Sequence, residues 1–233
     1  MSPEPRGGFI LYLHGFTSGP QSRKALALGA RLAARGLAER FVCPQLPAAP
    51  AEAIALAESL LRAKVSPGGG MSVPPNKGNV SPGGGLAVPP DEPKVSPGGT
   101  AFNEITVVGS SLGGYYATHL AETHGCRAVL VNPAVVAHIS LEKYLGPQTW
   151  LYTGEGFEFT PAHIDQLRAI HHPRLADPSR YWLLVEEGDE TLDYRHAVAH
   201  YAGARQTVLP GGDHSFTRWT DYLDEIIAHA GLA

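Results

Sequence analysis

The chain has 233 residues, of which 43% are hydrophobic and 17% charged, so it can build the core of one domain and is not intrinsically disordered. Its 18 Lys and Arg residues are outnumbered by 22 Asp and Glu residues, and the net charge of -4 gives no basic surface for nucleic acid or anionic lipid. No apolar stretch approaches the ~20 residues that span a bilayer, and the chain start lacks the apolar segment of a signal peptide. We therefore expect a cytoplasmic protein without nucleic-acid or membrane partners, in which Cys43 and Cys126 are reduced and buried.

Apolar segments of strand length alternate with helical segments along most of the chain. The predicted strands are residues 9–13, 40–44, 105–108, 128–131, 182–185 and 206–209, and the predicted helices are residues 22–37, 50–64, 115–124 and 220–229. Unbroken apolar strands separated by helices indicate a mostly parallel sheet with helices on both faces. The sequence therefore predicts one α/β domain with about six strands, in which ligands bind at the carboxyl ends of the strands.

A repeat interrupts this pattern between the second helix and the third strand. Residues 64–99 repeat with a period of 15, since VSPGG begins at Val65, Val80 and Val95, and they include eight Pro and nine Gly. Proline removes backbone donors and glycine adds chain entropy, so we expect neither helix nor strand there. We interpret the segment as a flexible surface insertion without a function of its own, because lengthening a loop costs little free energy. A ligand for domains that bind proline-rich peptides is the weaker alternative.

The third strand runs into a tight glycine-rich turn, residues 109–113 with the sequence GSSLG, which opens the next helix. A G-x-S-x-G pattern between a strand and a helix is typical of a nucleophile elbow. The turn strains the backbone of Ser111, and glycines two residues before and after it leave the necessary space. The hydroxyl group then stands clear of the sheet beside a helix N-terminus, which stabilises negative charge. Ser111 is the candidate nucleophile, and a turn that only joins strand to helix is the alternative.

A serine nucleophile needs a base, and a histidine after a later strand meets that need. His214 lies in the segment GGDHSF, residues 211–216, between the last predicted strand and the last helix. This position is at the same edge of the sheet as Ser111. Three of the 11 histidines, His119, His124 and His229, fall on the predicted helices above, and His196 and His200 are assigned to a further helical segment. His171-His172 lacks a second ligand pair at metal-binding spacing. We therefore assign the base to His214 and expect no metal.

A carboxylate after an intervening strand completes the arrangement. The fifth predicted strand leads into the segment EEGDE, residues 186–190, where the turn at Gly188 presents Asp189. The chain order Ser111, Asp189, His214 is that of the α/β-hydrolases. Asp213 is too close to His214 along the chain to orient its ring easily. The other rival acids are Glu187, Glu190 and Asp193, and a solvated charged loop is the alternative to any catalytic role.

An oxyanion needs two preorganised donors. One is the backbone N–H of Leu112, directly after the nucleophile. The other is expected in the turn after the first strand, where Gly15 permits a sharp backbone path and the N–H of Phe16 is the candidate donor. We expect His14 to pack under this loop and hold its shape rather than to act as a base.

Two further features lie near this edge. Asn132, after the fourth predicted strand, has three alternatives: it binds substrate, it steadies the Ser111 turn, or it only starts a loop with Pro133. Residues 134–180 are long for a crossover and rich in aromatic side chains. We predict that they form a small helical cap over the site.

These motifs together resemble the YqiA/YcfP esterases, the UPF0227 group of α/β-hydrolases. The resemblance covers about 195 residues and omits the repeat; it is carried by YLHGF at 12–16, GSSLGGYY at 109–116, VNPA at 131–134, YTGE at 152–155, GDE at 188–190, LDY at 192–194 and GGDHSF at 211–216. It implies a compact α/β-hydrolase fold that lacks the first strands of larger members. It also implies Ser111 as nucleophile, His214 as base and Asp189 as acid, acting on short acyl esters and acyl-CoA thioesters.

The prediction is therefore a single-domain cytoplasmic serine hydrolase whose substrate is a small-molecule acyl ester or thioester. The chemistry requires no metal, nucleotide or other cofactor. One alternative is the same triad acting on another bond, by amide or C–C hydrolysis. The other is a homologue without catalysis that only binds a ligand or a partner.

Overall fold

A computed structural model describes residues 8–65 and 101–232 of the chain. The strands are β1 (Phe9–Leu13), β2 (Phe41–Val42), β3 (Ile105–Ser110), β4 (Arg127–Val131), β5 (Gly146–Thr149), β6 (Gly156–Phe159), β7 (Tyr181–Glu186) and β8 (Arg205–Leu209). The helices are α1 (Arg23–Ala34), α2 (Pro50–Val65), α3 (Leu112–His124), α4 (Ala137–Ser140), α5 (Pro161–Ala169), α6 (Tyr194–His200) and α7 (Leu223–His229). Six strands form one parallel sheet in the order β2-β1-β3-β4-β7-β8, which confirms the predicted sheet.

Each face of the sheet is covered by helices because alternate residues of its buried strands are apolar on both sides. Phe9 and Leu11 of β1 belong to a hydrophobic cluster with buried residues of α2, α3, α5 and α6. Ile10 and Tyr12 belong to a second cluster with α1 and α7 on the opposite face. The continuous apolar runs seen in the sequence are thus strands buried on both faces.

The crossovers place a crevice between β1 and β3. The chain leaves β1 for β2 on one side and β3 for β4 on the other, so the strand order reverses at this point. Leu13 pairs in register with Gly109, and both strands therefore end side by side. Ligands of open α/β sheets bind at such a reversal, outside the carboxyl ends of the strands. A ligand-binding site is therefore expected at the turns after β1 and β3.

The segment predicted as a helical cap, residues 134–180, is only partly helical. It contains α4 and α5, but an antiparallel hairpin of β5 and β6 lies between them. The hairpin covers the turn after β1, since Phe16 packs against Phe159 with ring centroids 5.0 Å apart and the N–H of Leu151 donates to the carbonyl of Thr17 at 2.8 Å. The hairpin escaped prediction because its four-residue strands carry Gly and Pro, which strand propensity disfavours.

The predicted repeat insertion, residues 64–99, lies outside the described residues except for the end of α2. The chain on either side of it is at the amino-terminal edge of the sheet. The Lys64 ammonium lies 4.6 Å from the ring centroid of Phe9, the first residue of β1, and Ile105, the first residue of β3, pairs with that same Phe9. The flanks of the insertion are therefore at the edge opposite Ser111.

Two smaller expectations can be compared with the fold. Within the described parts of the chain, no helix combines the length and the apolarity needed to cross a bilayer. Cys126 is buried as expected, but the expectation that Cys43 is buried was wrong, because Cys43 follows a two-residue edge strand and is partly exposed. The partial burial of Cys43 and the full burial of Cys126 raise the pKa of both thiols to about 12.

Histidines line the contact between residues 134–180 and the helices below them. The Nδ1 atom of His119 on α3 lies 3.0 Å from Nε2 of His172, and the rings of His138 and His171 lie 4.8 Å apart. Burial, and then the charge of neighbouring histidines, lowers the pKa of His119, His138 and His171, and of His200 on α6.

We expect the protein to lose stability as the pH falls below about 6.5, the ordinary pKa of histidine. Between that value and its lowered folded-state pKa, each of these histidines binds fewer protons in the folded than in the unfolded chain, so acid favours unfolding. The urea midpoint at pH 7.5, 6.5 and 5.5 measures the effect, and His119→Gln should flatten the dependence. An equal loss in both proteins would exclude His119 as a contributor.

Candidate active site

The candidate nucleophile Ser111 lies in the turn between β3 and α3. Its φ of 56° and ψ of -120° lie outside the regions that L-residues favour, as expected of a strained elbow. A Cβ atom on Gly109 would lie 2.2 Å from the carbonyl oxygen of Gly113, and one on Gly113 would lie 2.0 Å from that of Leu13. Both glycines are therefore required by close backbone approach. Helix α3 starts at Leu112, three residues before its predicted start, although glycine is a poor helix former.

Ser111, His214 and Asp189 form one chain of hydrogen bonds. The Nε2 atom of His214 lies 3.0 Å from Oγ of Ser111, and its Nδ1 atom lies 2.9 and 2.8 Å from the two carboxylate oxygens of Asp189. Because a carboxylate only accepts, Nδ1 carries the proton and Nε2 is left to accept from the serine hydroxyl. The arrangement can deprotonate Ser111 when it attacks an electrophile.

The loop after β7 holds Asp189 rigidly. Its Oδ1 atom accepts the backbone N–H groups of Thr191 and Leu192, each at 2.9 Å. The side chain of Asp189 is only 2% exposed, while that of His214 is 22% exposed. The acid is thus shielded from water, and the histidine ring remains open to a substrate.

The rival acids are engaged elsewhere. Glu187 accepts from the hydroxyl of Tyr194, and Asp193 accepts the N–H of Arg195 at the start of α6. Glu190 accepts the backbone N–H of His214, and Asp213 accepts from Ser215; neither of these two carboxylates bonds the imidazole. Among the four rivals and Asp189, only Asp189 contacts the ring of His214.

The two expected oxyanion donors border the same space. Phe16 and Leu112 both line a cavity of about 40 Å³ that also contains Ser111. Among the hydrogen bonds of the described residues, neither the N–H of Phe16 nor that of Leu112 has an acceptor. Gly15 lies directly beside the nucleophile, because a Cβ atom on it would lie 3.2 Å from Cβ of Ser111. Two unused backbone donors beside a nucleophile are suited to hold an oxyanion.

His14 is buried next to this loop. Its Nδ1–H donates to the carbonyl of Gly15 at 3.0 Å, while its Nε2 accepts the N–H of Leu46 at 3.0 Å. Burial lowers the pKa of His14, although the bond to Gly15 acts in the opposite direction. The neutral ring therefore joins the turn after β1 to the segment that follows β2.

Asn132 has a different contact from those anticipated. Its Nδ2 donates to the carbonyls of Asp213 and His214 at 3.0 and 3.2 Å, and its Oδ1 accepts the N–H of Glu186 at 3.0 Å. The side chain thus supports the histidine loop and does not bond to the Ser111 turn. Its backbone has a φ of 42°, a conformation that Asn tolerates better than most residues.

Sequence reasoning missed Glu186, the last residue of β7. Its carboxylate is fully buried and accepts the N–H groups of Asp213 and Thr217 at 2.9 and 3.1 Å, together with Nε of Arg218 at 3.1 Å. Burial opposes ionisation, but these bonds outweigh it and hold the pKa of Glu186 below its ordinary value. These hydrogen bonds fix the loop on both sides of His214 along the chain, at Asp213 before it and at Thr217 and Arg218 after it. A carboxylate ending an otherwise apolar strand was the available signal.

Glu186→Gln should lower the free energy of unfolding by about 3 kcal/mol. The NH₂ group of the glutamine side chain would face backbone N–H donors of the histidine loop, and the charge of Arg218 would lose its ion-pair partner. Urea denaturation measures this change. The matched control is Glu187→Gln, an exposed neighbour that should shift stability by no more than about 0.5 kcal/mol. Similar losses for both variants would contradict the role given to Glu186.

The site opens into a cleft of about 540 Å³. Its lining includes polar side chains, two positively charged ones and one acidic one, namely Ser18, Ser22, Arg23, Lys24, Tyr152, Glu190 and Ser215. The small cavity beside Ser111 has a mostly apolar lining that includes Leu112, Ala134, Leu141 and Leu192, together with Lys143. Within the described residues, no group of three or more His, Cys, Asp or Glu side chains is arranged to hold a metal ion.

Comparison with known families adds a match over most of the chain. The sequence profile of UPF0227, an uncharacterised protein family, matches residues 9–71 and 98–231. The two matched segments lie on either side of most of the repeat and include every residue of the hydrogen-bonded chain described above.

Three solved structures illustrate the similarity of the fold. A protein assigned as a hydrolase from Agrobacterium vitis S4 has a TM-score of 0.63 and 18% identity, over 95% of this chain and 87% of that one. Mouse alpha/beta hydrolase domain-containing protein 10 has a TM-score of 0.59 and 14% identity, over 97% and 91%. The esterase domain of a Rhodothermus marinus protein has a TM-score of 0.58 and 15% identity, over 96% and 86%. At these identities the similarity concerns the fold, which is that of the α/β-hydrolases.

Proposed function

Because this chain belongs to the UPF0227 family and has an α/β-hydrolase fold, we propose that it is a serine hydrolase that cleaves carboxylic esters or acyl thioesters. The observation that carries the proposal is the unbroken chain of hydrogen bonds from Ser111 through His214 to Asp189. A serine is a weak nucleophile unless a base is within hydrogen-bond reach and is itself oriented by a third group.

In the first half of the reaction, Ser111 Oγ attacks the acyl carbonyl while His214 Nε2 takes the hydroxyl proton. Asp189 keeps the proton of the neutral ring on Nδ1 and stabilises the imidazolium that forms. The carbonyl oxygen becomes negative and accepts the N–H groups of Phe16 and Leu112. Donors fixed in place before the reaction favour this charged state more than water does.

The tetrahedral intermediate then collapses. The bond to the alcohol or thiol breaks, and His214 gives that leaving group its proton, which leaves an ester on Ser111. In the second half, a water molecule in the place of the leaving group attacks the acyl carbon while His214 takes its proton. The bond between the acyl carbon and Ser111 Oγ then breaks, and His214 gives the proton to that oxygen. Release of the acid returns Ser111 and His214 to their starting protonation states.

A set of butyryl compounds tests this proposal: p-nitrophenyl butyrate, the corresponding thioester and the p-nitroanilide. The ester and the thioester should be hydrolysed, and the anilide much more slowly, in each case through Ser111. Faster hydrolysis of the anilide would favour amide chemistry. Rates equal to those of Ser111→Ala for all three would instead favour a homologue that only binds.

A further inference from the structure

The cleft contains two positive side chains that the proposed reaction does not use. Arg23 and Lys24 are the first residues of α1, and both line the cleft that holds Ser111. The ammonium of Lys24 donates to the carbonyl of Ser215 at 2.7 Å, and the guanidinium of Arg23 donates to that of Thr217 at 3.1 Å. Each cation is thereby held against the loop that carries the catalytic histidine.

These contacts leave both charges without a counterion. A lysine ammonium has three donors and a guanidinium five, and the structure engages one of each. In the described part of the chain, neither Arg23 nor Lys24 takes part in an ion pair. Burial and then the charge of Arg23 lower the pKa of Lys24 to about 8, and the negative charges of Asp213, Asp189 and Glu186 offset this only in part.

Arg23 and Lys24 lie on the side of Ser111 from which the leaving group would depart. His214 must reach the leaving-group atom to protonate it, so the alcohol or thiol lies on the His214 side of Ser111. Lys24 bonds the residue directly after His214, on that side. The mostly apolar cavity lined by Leu112 and Leu141 borders Ser111 but none of Arg23, Lys24 and Ser215, and it suits an acyl chain.

We propose that Arg23 and Lys24 form a subsite for an anionic group, a carboxylate or a phosphate, on the alcohol or thiol portion of the substrate. This inference rests on the proposed function, because it uses the direction in which the leaving group departs. Hydrogen bonds between charged partners are shorter and stronger than neutral ones, and Lys24, which is partly buried while Arg23 is exposed, gains most from an anion. Both residues would select the substrate without taking part in bond cleavage.

Three butyrate esters with related phenol leaving groups test the subsite: 3-(butyryloxy)benzoate, 3-(butyryloxy)phenyl phosphate and the neutral 3-(butyryloxy)benzamide. The kcat/KM of the wild type should be about tenfold or more higher for at least one anionic ester than for the amide. The benzoate and phosphate arms distinguish the two anions. The double variant Arg23→Gln/Lys24→Met should lower this ratio to about one while still hydrolysing the benzamide ester.

Lys143→Met is the control for the loss of a positive charge elsewhere near Ser111, since Lys143 lines the mostly apolar cavity and not the proposed subsite. The anionic preference should survive in this variant. A wild-type ratio near one, an unchanged ratio in the double variant, or a loss of the preference in Lys143→Met would each overturn the assignment. The comparison is made as a ratio within each variant, so a general loss of activity does not mimic the result.

A binding measurement separates failure of the subsite from failure of the proposed function. Thermal unfolding with 3-hydroxybenzoate, 3-hydroxyphenyl phosphate and 3-hydroxybenzamide needs no catalysis. An anionic phenol should raise the Tm of the wild type more than the amide does, and the difference should vanish in the double variant. If no ester is hydrolysed but this pattern appears, the subsite stands and the hydrolase proposal fails. The absence of any such difference in Tm would overturn the subsite.

Discussion

Ser111→Ala should lower kcat for p-nitrophenyl butyrate by about 10⁴-fold or more, the loss typical of a removed triad nucleophile. The serine hydroxyl is the only protein group that the proposed mechanism bonds to the acyl carbon, and the backbone of Ser111, with a φ of 56°, presents it at the end of β3. A residual rate from the oxyanion donors and from substrate binding should remain. Steady-state release of p-nitrophenol measures the change.

Ser110→Ala is the control for this substitution. It removes the adjacent hydroxyl of the same turn and should retain the wild-type rate within about tenfold, because Ser110 has no bond to His214. Circular dichroism and Tm verify that both variants are folded. Loss of activity in Ser110→Ala with retention in Ser111→Ala would transfer the nucleophile to Ser110.

The second large effect concerns the acid. Asp189→Asn should lower kcat by about 10⁴-fold with little change in KM, because an amide group facing Nδ1 stabilises the wrong tautomer of His214. The nearly full burial of the Asp189 side chain allows no water to replace the lost acceptor. The same chromogenic assay detects this change over the required range.

Glu190→Gln provides the matched carboxylate control. The amide oxygen can still accept the backbone N–H of His214, so the loss should be no more than about tenfold. If Glu190→Gln proves as damaging as Asp189→Asn, the assignment of a single acid is wrong. Full activity in Asp189→Asn would be equally decisive against it.

The sheet could be predicted because its strands are continuous apolar runs separated by helices. The place of Ser111 followed from the same reasoning, since the glycines at 109 and 113 are required wherever a strand turns sharply into a helix. Their positions directly after predicted strands then placed His214 and Asp189 at the carboxyl edge of the sheet. The sequence therefore indicates which residues share the carboxyl edge of the sheet. The hydrogen-bond distances between their side chains depend on the conformation of the loops.

The features that could not be predicted from the sequence depend on contacts between segments that are distant along the chain. Glu186 reads as one more acid in a charged loop, and its role arises only because the loop after β8 folds back over the end of β7. Asn132 likewise follows β4 but serves the histidine loop 81 residues later along the chain. The hairpin of β5 and β6 is stabilised by packing against Phe16, which no local pattern reveals.

The hairpin also packs against the turn after β1, which carries the candidate oxyanion donor, the N–H of Phe16. Phe16 contacts the rings of Tyr144, Phe157 and Phe159 at centroid distances of 5.7, 6.0 and 5.0 Å. Aromatic pairs of this kind contribute about 0.5–1.5 kcal/mol each beyond their buried area. They fix the backbone N–H of Phe16, the donor on which the oxyanion proposal depends.

Labelling with a fluorophosphonate tests the central claim, that Ser111 is an activated nucleophile, most directly. In this reaction the serine oxygen bonds to phosphorus, fluoride leaves, and His214 takes the proton. Intact-mass and peptide mass spectrometry should find one phosphonyl group per wild-type chain, on the peptide that contains Ser111, and none on Ser111→Ala. An unlabelled wild type, or equal labelling of both proteins, would contradict the account.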